Sequence, residues 1–170
     1  MSTTTEVDVA PALPADVRAI RRLVEPYAAE RILLAKEWVT YYEAVQEFVV
    51  ARTPDGAVAG CGALHVMWED LAEIRTLAVA PEHRGNGVGH RIVEALLDRA
   101  RALGLRRVFC LTFEVDFFAR HGFEEIDGTP VPPEVYAELL RSHDDGVAEF
   151  LDLARVKPNT LGNTRMLLHL

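Results

Sequence analysis

Serine is almost missing from this chain. Only Ser2 and Ser142 occur, and neither lies in the G-x-S-x-G elbow of a serine hydrolase, so that chemistry is not expected. Cysteine is as scarce. Cys61 and Cys110 are too few for a disulfide framework and in the wrong pattern for a zinc site. Cys110 sits in an apolar run and Cys61 between glycines, the settings of core thiols rather than nucleophiles. The histidines show no paired or clustered ligand spacing, so no metal is implied, and His65 and His121 read as structural. No apolar run approaches the roughly 20 residues that span a bilayer, so no membrane partner is expected. The N-terminal Met-Ser-Thr-Thr-Thr-Glu-Val-Asp lacks the basic and apolar regions of a secretory signal, which points to the cytoplasm. Positive charge is in deficit. Lys and Arg number 18 against 26 Asp and Glu, a net charge of −8, which argues against a surface that coats nucleic acid.

What is present is a globular composition, 49% apolar and 26% charged over 170 residues. That length supports one domain, residues 1–170, with a frayed tail over 1–5 and a C-terminal segment, 128–170, ending in the last strand. Val7 and Val9 before Pro11 predict a first strand. Pro14-Ala15-Asp16 opens a helix whose Val17, Ile20, Leu23 and Val24 recur at helical spacing. A helix–loop–helix stretch follows to about residue 46. Strands over 47–52, 57–67 and 72–79 form an antiparallel meander, the first two joined by the turn Thr53-Pro54-Asp55-Gly56. The clearest helix covers 88–103. Its Ile92, Val93, Leu96, Leu97, Ala100 and Leu103 share one face, and Gly104 stops it. A strand over 107–112 is apolar throughout its interior, as for burial on both faces. A short helix over 116–121, a strand from Phe123, a helix from Pro132 and a strand over 164–170 complete the order. This is a mixed α/β domain rather than a doubly wound parallel sheet.

Arg84-Gly85-Asn86-Gly87-Val88-Gly89 lies between a strand and the long helix. There backbone N–H groups and the helix dipole converge on an anion, and glycine lets a phosphate come close. His83, Arg84, His90 and Arg91 add local positive charge against the sign of the whole chain. A dinucleotide fingerprint needs its third glycine one residue later, and a P-loop needs G-K-[ST]; both patterns fail. A plain glycine-rich connection is the remaining local reading.

The run from Leu77 to Gly89 resembles the acetyl-CoA motif of the GCN5-related N-acetyltransferase superfamily (GNAT). Its R-x-x-G-x-G core is matched by Arg84, Gly87 and Gly89, with Ala72-Glu73-Ile74 upstream and the Gly122-Phe123 corner downstream. The resemblance implies the GNAT acyl-CoA N-acyltransferase fold, a mixed, mostly antiparallel central sheet with helices on both faces and a V-shaped opening between two strands. Acetyl-CoA is the implied co-substrate. Its binding positions are Leu77, Ala78 and Val79 on the strand, Arg84, Gly85, Asn86, Gly87, Val88 and Gly89 in the loop, and His90, Phe117 and Arg120.

Ile32-Leu33-Leu34-Ala35-Lys36, Gly60-Cys61-Gly62-Ala63-Leu64, Glu73-Ile74 and Gly162-Asn163-Thr164 are similar to the acetyltransferase domain of N-acetylglutamate synthases, in a short form without a kinase domain. The similarity covers roughly residues 14–126 and 161–170. It implies L-glutamate as acceptor and the first step of arginine biosynthesis. The acceptor's carboxylates then fall to Lys36, to the main chain of Leu34 and Thr76, and to the Thr164 hydroxyl. The family's arginine two residues before that hydroxyl is Gly162 here, with Arg165 or Arg75 as replacements. Arg75, near Glu73 on one strand, also fits a residue pointing away, because strand neighbours face opposite sides. Glu73 matches the family's general base. A serine proposed as general acid matches Thr112, while the tyrosine used by many relatives is Phe118. Other acceptors (glutamine, another amino acid, a protein N-terminus) and a non-catalytic acyl-CoA-binding module are the alternatives. Residues 128–160 are expected to pack over the acceptor site or to form a subunit contact in a homodimer.

Overall fold

A computed structural model describes residues 6–30, 32–33 and 36–170. The expected tail over 1–5 and the Leu34 acceptor contact lie outside the described residues. Seven strands, β1 (Asp8–Pro11), β2 (Phe48–Arg52), β3 (Val58–Trp68), β4 (Leu71–Val79), β5 (Arg107–Thr112), β6 (Glu124–Glu125) and β7 (Thr164–His169), form one sheet in the order β1-β2-β3-β4-β5-β7-β6. Every neighbouring pair is antiparallel except β4–β5, which is parallel. The helices are α1 (Val17–Ala29), α2 (Trp38–Glu43), α3 (Val88–Ala102), α4 (Val115–Ala119), α5 (Pro133–Leu139), α6 (Asp145–Phe150) and α7 (Lys157–Thr160). This is the mixed sheet expected from the sequence. The strand expected from Phe123 shortens to two residues, and α6 and α7 fill a stretch in which the sequence pattern singled out no element.

Two features of β4 create the site. Its pairing with β5 covers only Leu71↔Arg107, Ala72↔Val108 and Glu73↔Phe109, after which the two strands part. Against β3, Ala63 pairs with Arg75 but Cys61 with Ala78, so β4 carries one extra residue between those pairs. The bulge centres on Thr76, whose φ of +57° is rare for a β-branched residue and marks stored strain. The β4–β5 opening is therefore wedge-shaped, and the bulge turns main-chain groups of β4 towards it.

Alternation along β4 then decides what faces where. Ala72 and Ile74 join the core under α3, with Val88, Ile92, Val93, Leu96, Leu97 and Ala100 from the helix. The opposite face carries two separate clusters. One packs α1 and α2 through Val17, Ile20, Val24 and Tyr41; the other packs α5 and α6 through Val135, Leu139, Val147 and Phe150. Glu73 and Arg75 project on that face, into the gap between the two clusters.

The α3 face is tight because β3 presents glycine. A Cβ on Gly62 would stand 2.8 Å from Ile92 Cγ2 and 3.1 Å from Leu96 Cδ1. Overpacking of this kind costs about 1–3 kcal/mol, so Gly62→Ala is expected to lower the urea midpoint by a corresponding amount. A variant as stable as the parent would show that α3 does not rest on the sheet as described.

Candidate active site

Two cavities meet at the β4 bulge. The first, about 660 Å³, is bounded by Leu77, Val79, Arg84, Gly85, Gly87, Val88, Gly89, His90, Thr112, Phe117 and Arg120. The second, about 640 Å³, is bounded by Lys36, Glu47, His65, Glu73, Asp144, Glu149 and Asn163, among others. They share Ile74, Arg75, Thr76 and Leu111, where β4 and β5 part, together with Ile32 and Leu33.

The first cavity has the construction of an anion cradle. Gly85 and Gly87 take φ of +79° and +83°, and Gly87 is the left-handed N-cap of the 15-residue helix α3. A Cβ on Gly89 would stand 3.3 Å from Phe117, so glycine lets that ring close the first turn of the helix. The His90 ring stacks on Phe117 at 4.5 Å and its Nδ1 lies 2.8 Å from His121 Nε2. Burial, then His90, pushes the His121 imidazole below its ordinary value. Arg84 lies over the Tyr27 ring at 4.9 Å, and the Tyr27 hydroxyl donates to the Val79 carbonyl at 3.0 Å, tying α1 to the rim. The free amides of the first helical turn, flanked by Arg84 and Arg120, fit a pyrophosphate, and the cavity beyond fits an extended thioester arm. Of the twelve positions expected around the cofactor, Ala78 is packed into the α1 core and Asn86 does not line the cavity.

The second cavity is organised by Arg75, one of the arginines expected at the acceptor site. Arg75 does not point away from Glu73. Residues two apart on a strand share a face, and Arg75 Nε donates to Glu73 Oε1 at 2.6 Å. Its Nη1 and Nη2 donate to Asp144 Oδ2 and Oδ1 at 2.8 and 2.7 Å, a bidentate fork across the cavity to the N-cap of α6. Burial opposes the Arg75 charge, but Glu73 and Asp144 hold its pKa above the ordinary value. Burial likewise opposes the Asp144 charge, yet the Arg75 hydrogen bonds keep that carboxyl well below the usual carboxylate range. Arg75 is thus committed to two carboxylates.

Glu73 is buried at 3% exposure, and its second oxygen, Oε2, has no hydrogen-bond partner among the described residues. Lys36 Nζ donates to Thr76 Oγ1 at 3.1 Å, and burial, with Arg75 next, pushes its ammonium below the ordinary value. Thr112 lines the cofactor side; its Oγ1 accepts from the Glu114 N–H at 2.8 Å, which leaves the hydroxyl proton free to donate. Thr164 and Arg165 line neither cavity. Arg165 instead donates to the carbonyls of Glu149, Gly128 and Phe150 at 2.8, 3.0 and 2.6 Å and braces the C-terminal segment. Asp144, His65, Glu47 and Glu149 were not foreseen. Residues 144–149 do pack over this cavity, one of the two roles expected for 128–160. Both cysteines are buried, and burial pushes the Cys61 thiol up to about 12 and raises that of Cys110.

A wedge between parallel strands, an amide cradle at the head of α3 and a free carboxylate oxygen at the wedge's mouth define an acyl-CoA-dependent acyltransferase. The family model of the GNAT acetyltransferases matches residues 17–123. The chain belongs to that family and is an acetyl-CoA-dependent N-acetyltransferase. It is 65% identical over 155 residues to an amino-acid acetyltransferase of Mycobacterium tuberculosis, covering 90% of this chain and 88% of that one. A crystal structure of a protein from the same organism, in complex with CoA and a second ligand, NLQ, superposes with a TM-score of 0.93 at 63% identity, covering 96% of this chain and 99% of that one. The N-acetylglutamate synthase of Neisseria gonorrhoeae shares the fold at a TM-score of 0.77 and 24% identity, over 97% of this chain but 35% of the longer protein.

Proposed function

We propose that this chain moves the acetyl group of acetyl-CoA to the α-amine of L-glutamate by direct attack in a ternary complex, the first step of arginine biosynthesis. The observation that carries the transfer is the meeting of the two cavities beside Glu73, whose buried Oε2 has no hydrogen-bond partner among the described residues. The choice of glutamate rests on the synthase-like segments around Lys36, Glu73 and Asn163.

The thioester arrives already activated, so no covalent intermediate on the chain is required. The loop over 84–89 and the head of α3 hold the pyrophosphate, and the β4–β5 wedge holds the arm. Lys36 takes the α-carboxylate of the acceptor, which sets the amine near Glu73. Glu73 Oε2 accepts the ammonium proton, directly or through water, because only the neutral amine attacks. Arg75, clamped on Oε1, leaves Oε2 as the basic atom. A main-chain N–H of β4 near Val79 stabilises the oxyanion, and the Thr112 hydroxyl donates towards the departing sulfur. A thiol has a pKa near 8.5, so strong acid assistance is not needed and the lack of a tyrosine at Phe118 is tolerable.

One observation favours a second acceptor, L-glutamine. Arg75 is consumed by Glu73 and Asp144, and Arg165 by carbonyls, so among the described residues Lys36 is the single lysine or arginine lining the acceptor cavity that is not ion-paired with a carboxylate. An acceptor with one carboxylate and a neutral amide matches that supply. Incubation with acetyl-CoA and a panel of amines, following free thiol, separates these readings: turnover with glutamate or glutamine but not spermidine supports an amino-acid acceptor. CoA binding without turnover of any amine would leave only a sensing module. Lys36→Ala is expected to raise the KM for the amino acid at least about tenfold, the scale of a lost charged hydrogen bond. A change confined to the KM for acetyl-CoA would place Lys36 in the wrong cavity.

A further inference from the structure

The C-terminal helix α6 contributes a carboxyl group that the acetyl transfer does not use. Glu149 is 9% exposed and lines the acceptor cavity, and its side chain makes no hydrogen bond or ion pair among the described residues. Its position is fixed from both sides. Arg165 binds its main-chain carbonyl at 2.8 Å and that of Phe150 at 2.6 Å, while Asp144 at the head of the helix is locked to Arg75. Gly146 lets the helix lie directly on the Glu73–Arg75 pair: a Cβ there would stand 2.4 Å from Arg75 Nη2 and 2.6 Å from Glu73 Oε1. That carboxyl is held in place, faces the cavity and stands without a partner among the described residues, the position of a group that can meet a ligand.

The geometry points to Glu149 as the specificity-determining residue of the acceptor site, its carboxyl meeting the acceptor's side-chain carbonyl or carboxylate oxygen. This rests on the amino-acid acceptor proposed above and adds what reads its side chain. The groups around Glu149 are Glu73 and Arg75 on β4, Asp144 and Asp145 on its own helix, and His143, with Lys36, Glu47 and His65 across the cavity. Burial, then the negative charge of Glu73, raises the Glu149 pKa to about 8, against the pull of Arg75. The sign follows. Below that value the carboxyl is neutral and accepts a glutamate or a glutamine side chain alike. Above it the carboxylate repels a second carboxylate and tolerates an amide, so selectivity for glutamine over glutamate rises with pH.

The test is the ratio of kcat/KM for L-glutamine to that for L-glutamate between about pH 6.5 and about pH 9.5, in the parent and in the isosteric Glu149→Gln. Any pH effect that does not pass through Glu149 appears equally in Glu149→Gln, so the variant supplies the baseline for the ratio. The ratio is expected to rise at least about fivefold in the parent, a modest like-charge penalty, and to stay flat in Glu149→Gln. A flat ratio in the parent, or a slope retained in the variant, overturns the assignment of Glu149 while leaving the amino-acid acceptor standing. Failure to turn over either amino acid at any pH overturns that acceptor and this inference together.

Discussion

Glu73→Gln lowers kcat by about 10²–10⁴-fold while leaving acetyl-CoA affinity nearly unchanged, the loss expected when a positioned general base becomes an amide of the same shape. The glutamine keeps an oxygen for Arg75 and fills the same volume, so the site should survive. What disappears is the basic Oε2, the buried oxygen that no protein group claims. The cofactor loop lies at the other end of the wedge and is untouched. Pre-steady-state acetyl transfer, measured beside a CoA binding titration, separates the two effects. An unchanged kcat would remove Glu73 from the chemistry, and a parallel fall in CoA affinity would mean that it supports the fold instead.

Arg75→Met is expected to cost about 3–5 kcal/mol of stability, the penalty for leaving buried charge without its partner. Glu73 and Asp144 both lean on this guanidinium, with side chains 5% and 28% exposed. Activity falls as well, because Oε1 loses the bond that orients the carboxylate. The pH dependence carries a sign. Asp144 is held below its unfolded pKa, so the stability it gains from Arg75 is present at neutral pH and lost only as pH falls through that lowered value. The difference between parent and variant in urea unfolding should therefore be constant around neutrality and shrink only in strong acid. A variant as stable as the parent would mean that the two carboxylates find other partners.

The cofactor half of the site was legible because it is local. Glycine spacing, a strand before and a helix after are all written within a dozen residues, and the backbone does the binding. Glu73 was legible through the resemblance, because Ala72-Glu73-Ile74 matches the strand that carries the family's general base. Arg75 was legible as an acceptor-site cation; the alternative, that it points away from Glu73, fails because the opposite-face rule holds for adjacent residues, not for residues two apart. The acceptor wall was not legible for a deeper reason. Asp144 meets Arg75 across 69 residues, on a six-residue helix too short to show a period. Only the packing of Val147 and Phe150 onto Phe109 and Leu71 brings it there. Thr164 and Arg165 looked like acceptor contacts from the ends of a matched segment. Arg165 serves instead to bind the carbonyls at the end of α6, and Asn163, one residue before Thr164, lines the cavity.

The central claim is that an amine meets a thioester where β4 and β5 part. The most direct measurement is release of free CoA thiol alongside N-acetylated amino acid, at equal rates, with purified chain, acetyl-CoA and L-glutamate or L-glutamine. Equal release, dependent on the amino acid and abolished in Glu73→Gln, is the expected result. Thiol release without acetylated product, or none with any amino acid, would contradict it.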